Sequence, residues 1–176
     1  MYPAETIKQL VSLSREEEHL VDGLFESRQM AKDQNLLSYG QVCHLVGLVE
    51  KGCLRYFMLK DGEEITYSFA QAGDFVSNYE SFLNRAPSNK IIKSVEDTKI
   101  WLLHREHLDR IYREVKAGNR FGRLVIEKVF VETLRQLSSY YTDSPTERYL
   151  KFNTEYPELV QRIPQYLIAS YVGVKP

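Results

Sequence analysis

Cysteine is scarce in this chain. Cys43 and Cys53 are the only two, too few for the disulfide framework of a small secreted domain, and they lack the paired C-x-x-C spacing of a zinc site. Long apolar runs are missing as well. No stretch approaches the roughly 18 consecutive apolar residues of a membrane helix. Residues 1–13 mix polar and charged side chains without the apolar core of a secretory leader. A cytoplasmic, reduced setting with no membrane partner is expected. Net charge is small too: 23 Lys and Arg against 24 Asp and Glu give −1. That excludes the global basic field of a non-specific nucleic-acid binder. A small basic element joined to a neutral body would leave the total unchanged.

Catalytic patterns are also absent. There is no G-x-S-x-G elbow and no Walker phosphate loop. No H-x-H pair occurs, and His44 stands alone among the expected strands, so a metal oxygenase built on a β-barrel would lack its clustered His and carboxylate ligands. We expect no enzyme and no metal site.

What is present is the composition of a globular protein, 43% hydrophobic and 27% charged over 176 residues. That length suits one domain, or one domain with a small second one. Ser14-Arg15-Glu16-Glu17 fits the capping box, and Leu20, Val21, Leu24 and Phe25 follow at helical spacing, so a helix is expected over 15–26. From Gln34 to Leu103 glycines at 40, 47, 52, 62 and 73 separate short apolar or alternating runs. Asp61-Gly62 tolerates the positive φ angles of a type I′ turn and marks a hairpin. After it Ile65, Tyr67 and Phe69 alternate with polar residues, as one face of a half-buried strand. Residues 91–95 and 99–103 form two further expected strands around Glu96-Asp97-Thr98. Cys43, His44 and Cys53 fall in expected strands, and the whole reads as a small all-β roll.

Helical spacing resumes at 106–114, and Gly118-Asn119 interrupts or restarts it. Residues 123–141 then run without Pro or Gly. One apolar stripe of that helix suits docking on the roll. A second, Ile126, Phe130, Leu134, Leu137 and Tyr141, has the 4-4-3-4 spacing of a helix seam. Its expected partner is a second copy of the chain; the alternative is a helix buried in a monomer core. The pairs Arg123–Glu127 and Glu132–Arg135 read as solvated helix charges. Ser144, Pro145 and Glu147 form a second capping box at a boundary. Three parts result: a roll over 1–117, a dimerisation helix over 118–142 and a helical part over 143–176.

In the last part Ala169 is small enough for two helices to cross, and Gly173, four residues later, supplies a tight turn. Leu167, Ile168, Val172 and Val174 are expected to fill a small core, and Pro176 suits the first position of a following helix. This reads as the first half of a helix-turn-helix.

The order of these parts resembles the Crp/Fnr family of transcription regulators, in which a cyclic-nucleotide-binding-type β-roll joins a winged helix-turn-helix. The residues that carry the resemblance are Gly40, Val49 to Arg55, Asp61-Gly62, Gly73-Asp74-Phe75-Val76 and the Ala169…Gly173 turn. The resemblance implies an α+β fold: an N-terminal antiparallel β-roll (a double-stranded β-helix, jelly-roll-like) with flanking helices, a long dimerisation helix and a partial helical DNA-binding domain. It implies a homodimer, DNA as partner of the full-length protein and a small-molecule effector in the roll, around Tyr67, Asn78, Tyr79, Ser88, Asn89 and Lys90. Tyr56, Tyr67 and Tyr79 either line that cavity or pack the core.

Two departures follow. Family members that bind cyclic AMP carry Gly-Glu after G-D-F-hydrophobic, and Arg followed by Ser or Thr about ten residues on. The glutamate accepts from the ribose hydroxyl and the arginine pairs with the phosphate. Here those positions hold Ser77-Asn78 and Ser88-Asn89. Arg85 and Lys90 are the nearby cations, but lysine lacks bidentate geometry. Cyclic AMP is therefore not the expected ligand, and no motif names another cofactor. Iron–sulfur sensors of the family use four cysteines, which this chain does not have. The second departure is that the sequence stops at Pro176, where a recognition helix is expected to begin. The expected natural protein continues and binds DNA. The alternative is a dimeric ligand- or protein-binding roll without DNA.

Overall fold

Two short helices open the chain. A computed structural model describes residues 2–174. Helices α1 (Pro3–Lys8) and α2 (Arg15–Leu24) come first. The Ser14 capping box forms as expected: Glu17 N–H donates to Ser14 Oγ (3.2 Å), and Ser14 N–H donates to the Glu17 carboxylate (2.7 Å). α2 stops at Leu24 rather than 26 because the chain already enters β1 (Glu26–Met30) there. That strand shows no alternation in its sequence, since only Met30 of Glu-Ser-Arg-Gln-Met is buried. Its partner β8 holds it in place.

The strands β2 (Asn35–Leu37), β3 (Leu45–Lys51), β4 (Cys53–Lys60), β5 (Glu63–Gln71) and β6 (Phe75–Val76) precede the short helix α3 (Tyr79–Asn84). β7 (Lys90–Ser94) and β8 (Thr98–His104) complete the roll. Two antiparallel four-stranded sheets result, ordered β1-β8-β3-β6 and β2-β7-β4-β5. Leu48, Leu54, Ile92, Ile100 and Leu103 belong to one buried core cluster. Cys43 and His44 sit just before β3 rather than in a strand. At the β4–β5 turn Asp61 and Gly62 both take positive φ (53° and 81°), the geometry that the Asp-Gly pair foretold.

The expected single face of Ile65, Tyr67 and Phe69 does not form. A bulge shifts the β4–β5 register between Tyr56 and Phe57, so Tyr56 opposes Ser68 while Phe57 opposes Thr66. Tyr67 is the extra residue and packs its ring on Tyr56, on the roll side. Phe69 faces the other way, toward the helices that follow.

α4 (Arg105–Glu114) leads into α5 (Gly118–Thr142). Gly118 thus starts the long helix and does not interrupt it. Phe121, Gly122 and Val125 of its first turns are buried on the roll, with Phe121 against Phe75 (5.6 Å between ring centroids). α6 (Pro145–Glu155), α7 (Leu159–Arg162) and α8 (Gln165–Val172) form a helical body. Ser144 and Glu147 make the second capping box, and Pro145 takes the first helical position. The apolar centre of this body is Phe152, Leu159, Ile163, Leu167, Ile168 and Val172, completed by Cys53, Phe69 and Val95 from the roll. β5 is a sheet edge, and Ser170 covers part of it. Thr66 N–H donates to Ser170 Oγ (2.9 Å), and that hydroxyl donates to the Glu64 carbonyl (3.1 Å).

Candidate functional site

The corner between β6, α3 and β7 is where the effector residues were expected. Asn78 caps α3: Ser81 N–H donates to its Oδ1 (3.4 Å), which leaves the amide nitrogen free to point elsewhere. That nitrogen donates to Ser88 Oγ at 2.6 Å. The serine hydroxyl also accepts from Lys90 N–H (3.0 Å) and donates to the Lys90 carbonyl (2.7 Å), which uses its full bonding capacity. Asn78 and Ser88 are each 3% exposed. Lys90 turns its ammonium outward to Glu80 (2.9 Å), and this bond holds the Glu80 carboxyl below its usual range. Asn89 is exposed, and so is Arg85, which ends α3 with φ 54°.

The structure therefore joins Asn78, Ser88 and the Lys90 backbone, while Asn89 stays outside that network. Tyr67 and Tyr79 belong to a separate aromatic lining. Tyr56 lies between them, its ring 5.7 Å from Tyr67. Burial pushes the Tyr56 phenol well up, and the neighbouring Tyr67 and Tyr79 add to the effect. Burial raises Tyr67 and Tyr79 as well, so all three are neutral near pH 7. The Tyr79 hydroxyl is buried and finds no hydrogen-bond partner among the described residues. The hydrogen-bonded network of this corner offers neutral donors and aromatic faces; its planar cations stand outside that network, Arg85 exposed at the end of α3 and Arg105 over the Phe82 ring (3.9 Å).

Beyond Val125 the long helix leaves the roll. Ile126, Phe130, Leu134, Leu137 and Tyr141 all stand exposed, Phe130 at 61% and Tyr141 at 85%. The expected Arg123–Glu127 pair forms at 2.6 Å. The other expected pair does not: Glu132 approaches Lys128 (3.8 Å) instead of Arg135, and Lys128 also approaches Asp74 of the roll (3.8 Å). The Glu132 carboxyl is raised, first by burial and then by Asp74 and Glu155, against the opposing pull of Lys128.

In the helical body Ala169 is partly buried in α8, and Gly173 ends that helix with φ 80°. Val174 N–H donates to the Ala169 carbonyl (3.0 Å), closing a left-handed cap of the kind glycine favours. Leu167, Ile168 and Val172 are buried as expected. Val174 is not: it lies past the cap and is 40% exposed. Pro176, expected to start another helix, lies outside the described residues.

Arg148 was not foreseen. Its Nε and Nη2 donate to the Val172 carbonyl (2.9 and 2.7 Å) and its Nη1 to the Asp143 carbonyl (2.7 Å). It ties the end of α8 to the end of α5. A lone arginine on a helix reads as solvated, so no sequence signal marks it.

Cys43 and Cys53 are buried and unpaired, and burial pushes the Cys53 thiol up to about 12. His104 and His107 meet edge to face (6.3 Å). Among the described residues no group of three His, Cys, Asp or Glu is placed to hold a metal ion. No helix among them is long and apolar enough to cross a membrane.

Comparison with solved structures finds the same fold in several proteins. The catabolite activator protein of Thermus thermophilus superposes with a TM-score of 0.62 at 20% identity, over 97% of this chain and 81% of that one. A protein of Eubacterium rectale assigned to the crp/fnr family of transcriptional regulators gives 0.71 at 19%, over 92% and 78%. The c-di-GMP responsive global regulator CLP of Xanthomonas campestris gives 0.70 at 13%, over 92% and 86%. At these identities the likeness is one of fold. No curated protein sequence matches the chain. Residues 27–115, half of its length, match the model of the cyclic nucleotide-binding domain, from β1 through α4. The chain belongs to the cyclic nucleotide-binding domain family, with Crp/Fnr transcription regulators among its structural neighbours.

Proposed function

We propose that the chain is a Crp/Fnr-like transcription regulator, divided into a sensor roll (1–117), a dimerisation helix (118–142) and the first part of a DNA-binding domain (143–176). The observation that carries this reading is the exposed apolar row on α5. An uncovered stripe of Ile126, Phe130, Leu134, Leu137 and Tyr141 is uncommon on a monomer, and its spacing is that of a helix seam. It lies between a roll and a helical body that ends on a left-handed glycine turn. The roll acts as the sensor, but not for cyclic AMP. The two positions that would meet ribose and phosphate, Asn78 and Ser88, are hydrogen-bonded to each other. A structural neighbour described as responsive to c-di-GMP supports the view that this fold accepts other effectors. A signal in the roll biases how two α5 helices pair, and Arg148 passes the change to α8. Coupling of this kind requires a ligand with different affinity for the two arrangements. On DNA, paired half-sites about one helical turn apart are expected.

Sedimentation equilibrium over a range of concentrations tests the carrying observation. The expected species is a dimer that Leu134→Glu converts to monomer. A parent chain that stays monomeric throughout overturns the reading. Titration with cyclic AMP is expected to give no saturable heat, and saturable binding would show that the corner opens.

A further inference from the structure

Away from the corner and the α5 stripe, one cleft gathers charges that its own surroundings leave unbalanced. It has a volume of about 170 Å³ and lies where the outer face of sheet β2-β7-β4-β5 meets the start of α8. Lys32, Arg55 and Lys93 line it from the roll, Pro164 and Tyr166 from the helix. Arg55 and Lys93 are directly opposite each other on β4 and β7, so their side chains share a face. Both cations also lie over the Phe57 ring, with the guanidinium carbon 4.0 Å and the ammonium 5.5 Å from its centroid. Like charges placed this way destabilise a sheet. Arg55 is only 4% exposed, so water and salt screen it poorly.

Two carboxylates reach the cleft, those of Asp33 and Glu64, against three cations. Glu64 is committed to Arg55, whose Nη1 also donates to Thr66 Oγ1 (3.4 Å). The ammonium groups of Lys32 and Lys93 have no ion-pair partner among the described residues. On the helix side Pro164 is the N-cap and supplies no side-chain cap. The first amides of α8 thus add partial positive charge at the same place.

We propose that this cleft binds a small phosphate-class oxyanion between Lys32, Lys93 and the start of α8. Its size decides the class. Sites for larger ligands run to about 300–1,000 Å³, so this one takes a phosphate group on a short body and not a whole nucleotide. Because such an anion touches the roll and α8 together, it stabilises their docking by mass action. The site is separate from the effector corner, and its occupancy does not depend on pairing of α5.

The test is calorimetric titration of this chain with inorganic phosphate, with sodium chloride at matched ionic strength as the reference. Saturable binding at a Kd of about 1 mM or tighter is expected. The melting temperature should rise with phosphate and not with chloride. Lys93→Gln is expected to weaken binding about tenfold or more. Its melting temperature without phosphate should match or exceed that of the parent, because one member of the like-charged pair is gone. A lysine with a merely structural role would give a lower one. Lys116→Gln, between α4 and α5 and not part of the cleft's lining, should bind as the parent does. Heat that does not saturate, or binding that Lys93→Gln leaves unchanged, overturns the proposal. The titration reads the cleft directly, so a monomeric chain that binds phosphate would sink the dimer reading and leave this one standing.

Discussion

The roll and the helical body build their interiors in different ways. Residues from the N-terminal helices, all the main strands and α4 share one core inside the roll, and Ile7, Val21, Leu54, Ile92, Ile100 and Ile111 are almost wholly buried there. The helical body has no such independence. Its centre closes only because Cys53, Phe69 and Val95 project from the outer face of the roll into it. Phe69 and Phe152 meet edge to face at 5.7 Å, and Tyr171 lies tilted against both. Burying an aromatic side chain is among the largest single contributions to a small core. A body that takes three core residues from its neighbour is held where the neighbour puts them. What differs between the two regions is therefore less the amount of apolar surface than the freedom to move without losing it.

The largest expected effect breaks that dependence. Phe152 is fully buried and touches Phe69, Tyr156 and Tyr171. Phe152→Ala should destabilise the helical body by about 3–5 kcal/mol. Hydrogen exchange should then show α6 to α8 opening while the strands of the roll keep their protection. Equal loss of protection in both regions would mean that they form one cooperative unit.

The next effect sits in the roll. Asn78→Ala removes the cap of α3 and one of the two donors to the buried Ser88 Oγ, at a cost of about 1–3 kcal/mol. Chemical denaturation should read this in the roll transition, with α8 little changed. A smaller loss, about 0.5–1.5 kcal/mol, is expected for Ser170→Ala, which exposes the Thr66 amide at the edge of β5. This change should loosen docking and leave the roll intact, so exchange at Thr66 is the measurement that separates it from Asn78→Ala.

The sequence made the roll readable where local chemistry and global fold agree. The Asp61-Gly62 turn, both Ser-x-x-Glu boxes and the Gly173 cap each need a particular residue type for a reason that acts within a few positions. β1 was hidden because its side chains face water and its stability comes from β8, far along the chain. The bulge at Tyr67 was hidden for a related reason. Strict alternation predicts one face, and only cross-strand register reveals that Phe69 has changed sides. At the candidate site, the loss of the expected Glu and Arg positions was legible, but the consequence was not. That Asn78 and Ser88 bond to each other is a fact of a fold that brings residues ten apart into contact. Arg148 escaped for the same reason, since its partners are the ends of two other helices.

The hinge between α5 and α6 gives the smallest expected effect and the sharpest comparison with the roll. Asp143 accepts from Lys151 Nζ (2.5 Å), Ser139 Oγ (2.5 Å) and Thr142 Oγ1 (3.0 Å). The Lys151 bond first, and the hydroxyls after it, lower its carboxyl from 3.8 to about 2. A carboxyl lowered in the folded state stabilises it fully above its unfolded value, and that contribution fades as pH falls toward the folded one. Stability tied to Asp143 should thus be constant above about pH 4 and decline between about pH 4 and 2. In Asp143→Asn this part of the acid decline should flatten for α6, followed by exchange or by the fluorescence of a probe on that helix. The effector corner holds one lowered carboxylate, Glu80 paired with Lys90, so an acid step there should persist in Asp143→Asn and vanish in Glu80→Gln. A step in α6 that persists unchanged in Asp143→Asn would assign the acid sensitivity of the hinge to another carboxylate, with Glu147 of the adjoining capping box as the next to replace, because its carboxyl is also lowered by the Ser144 amide.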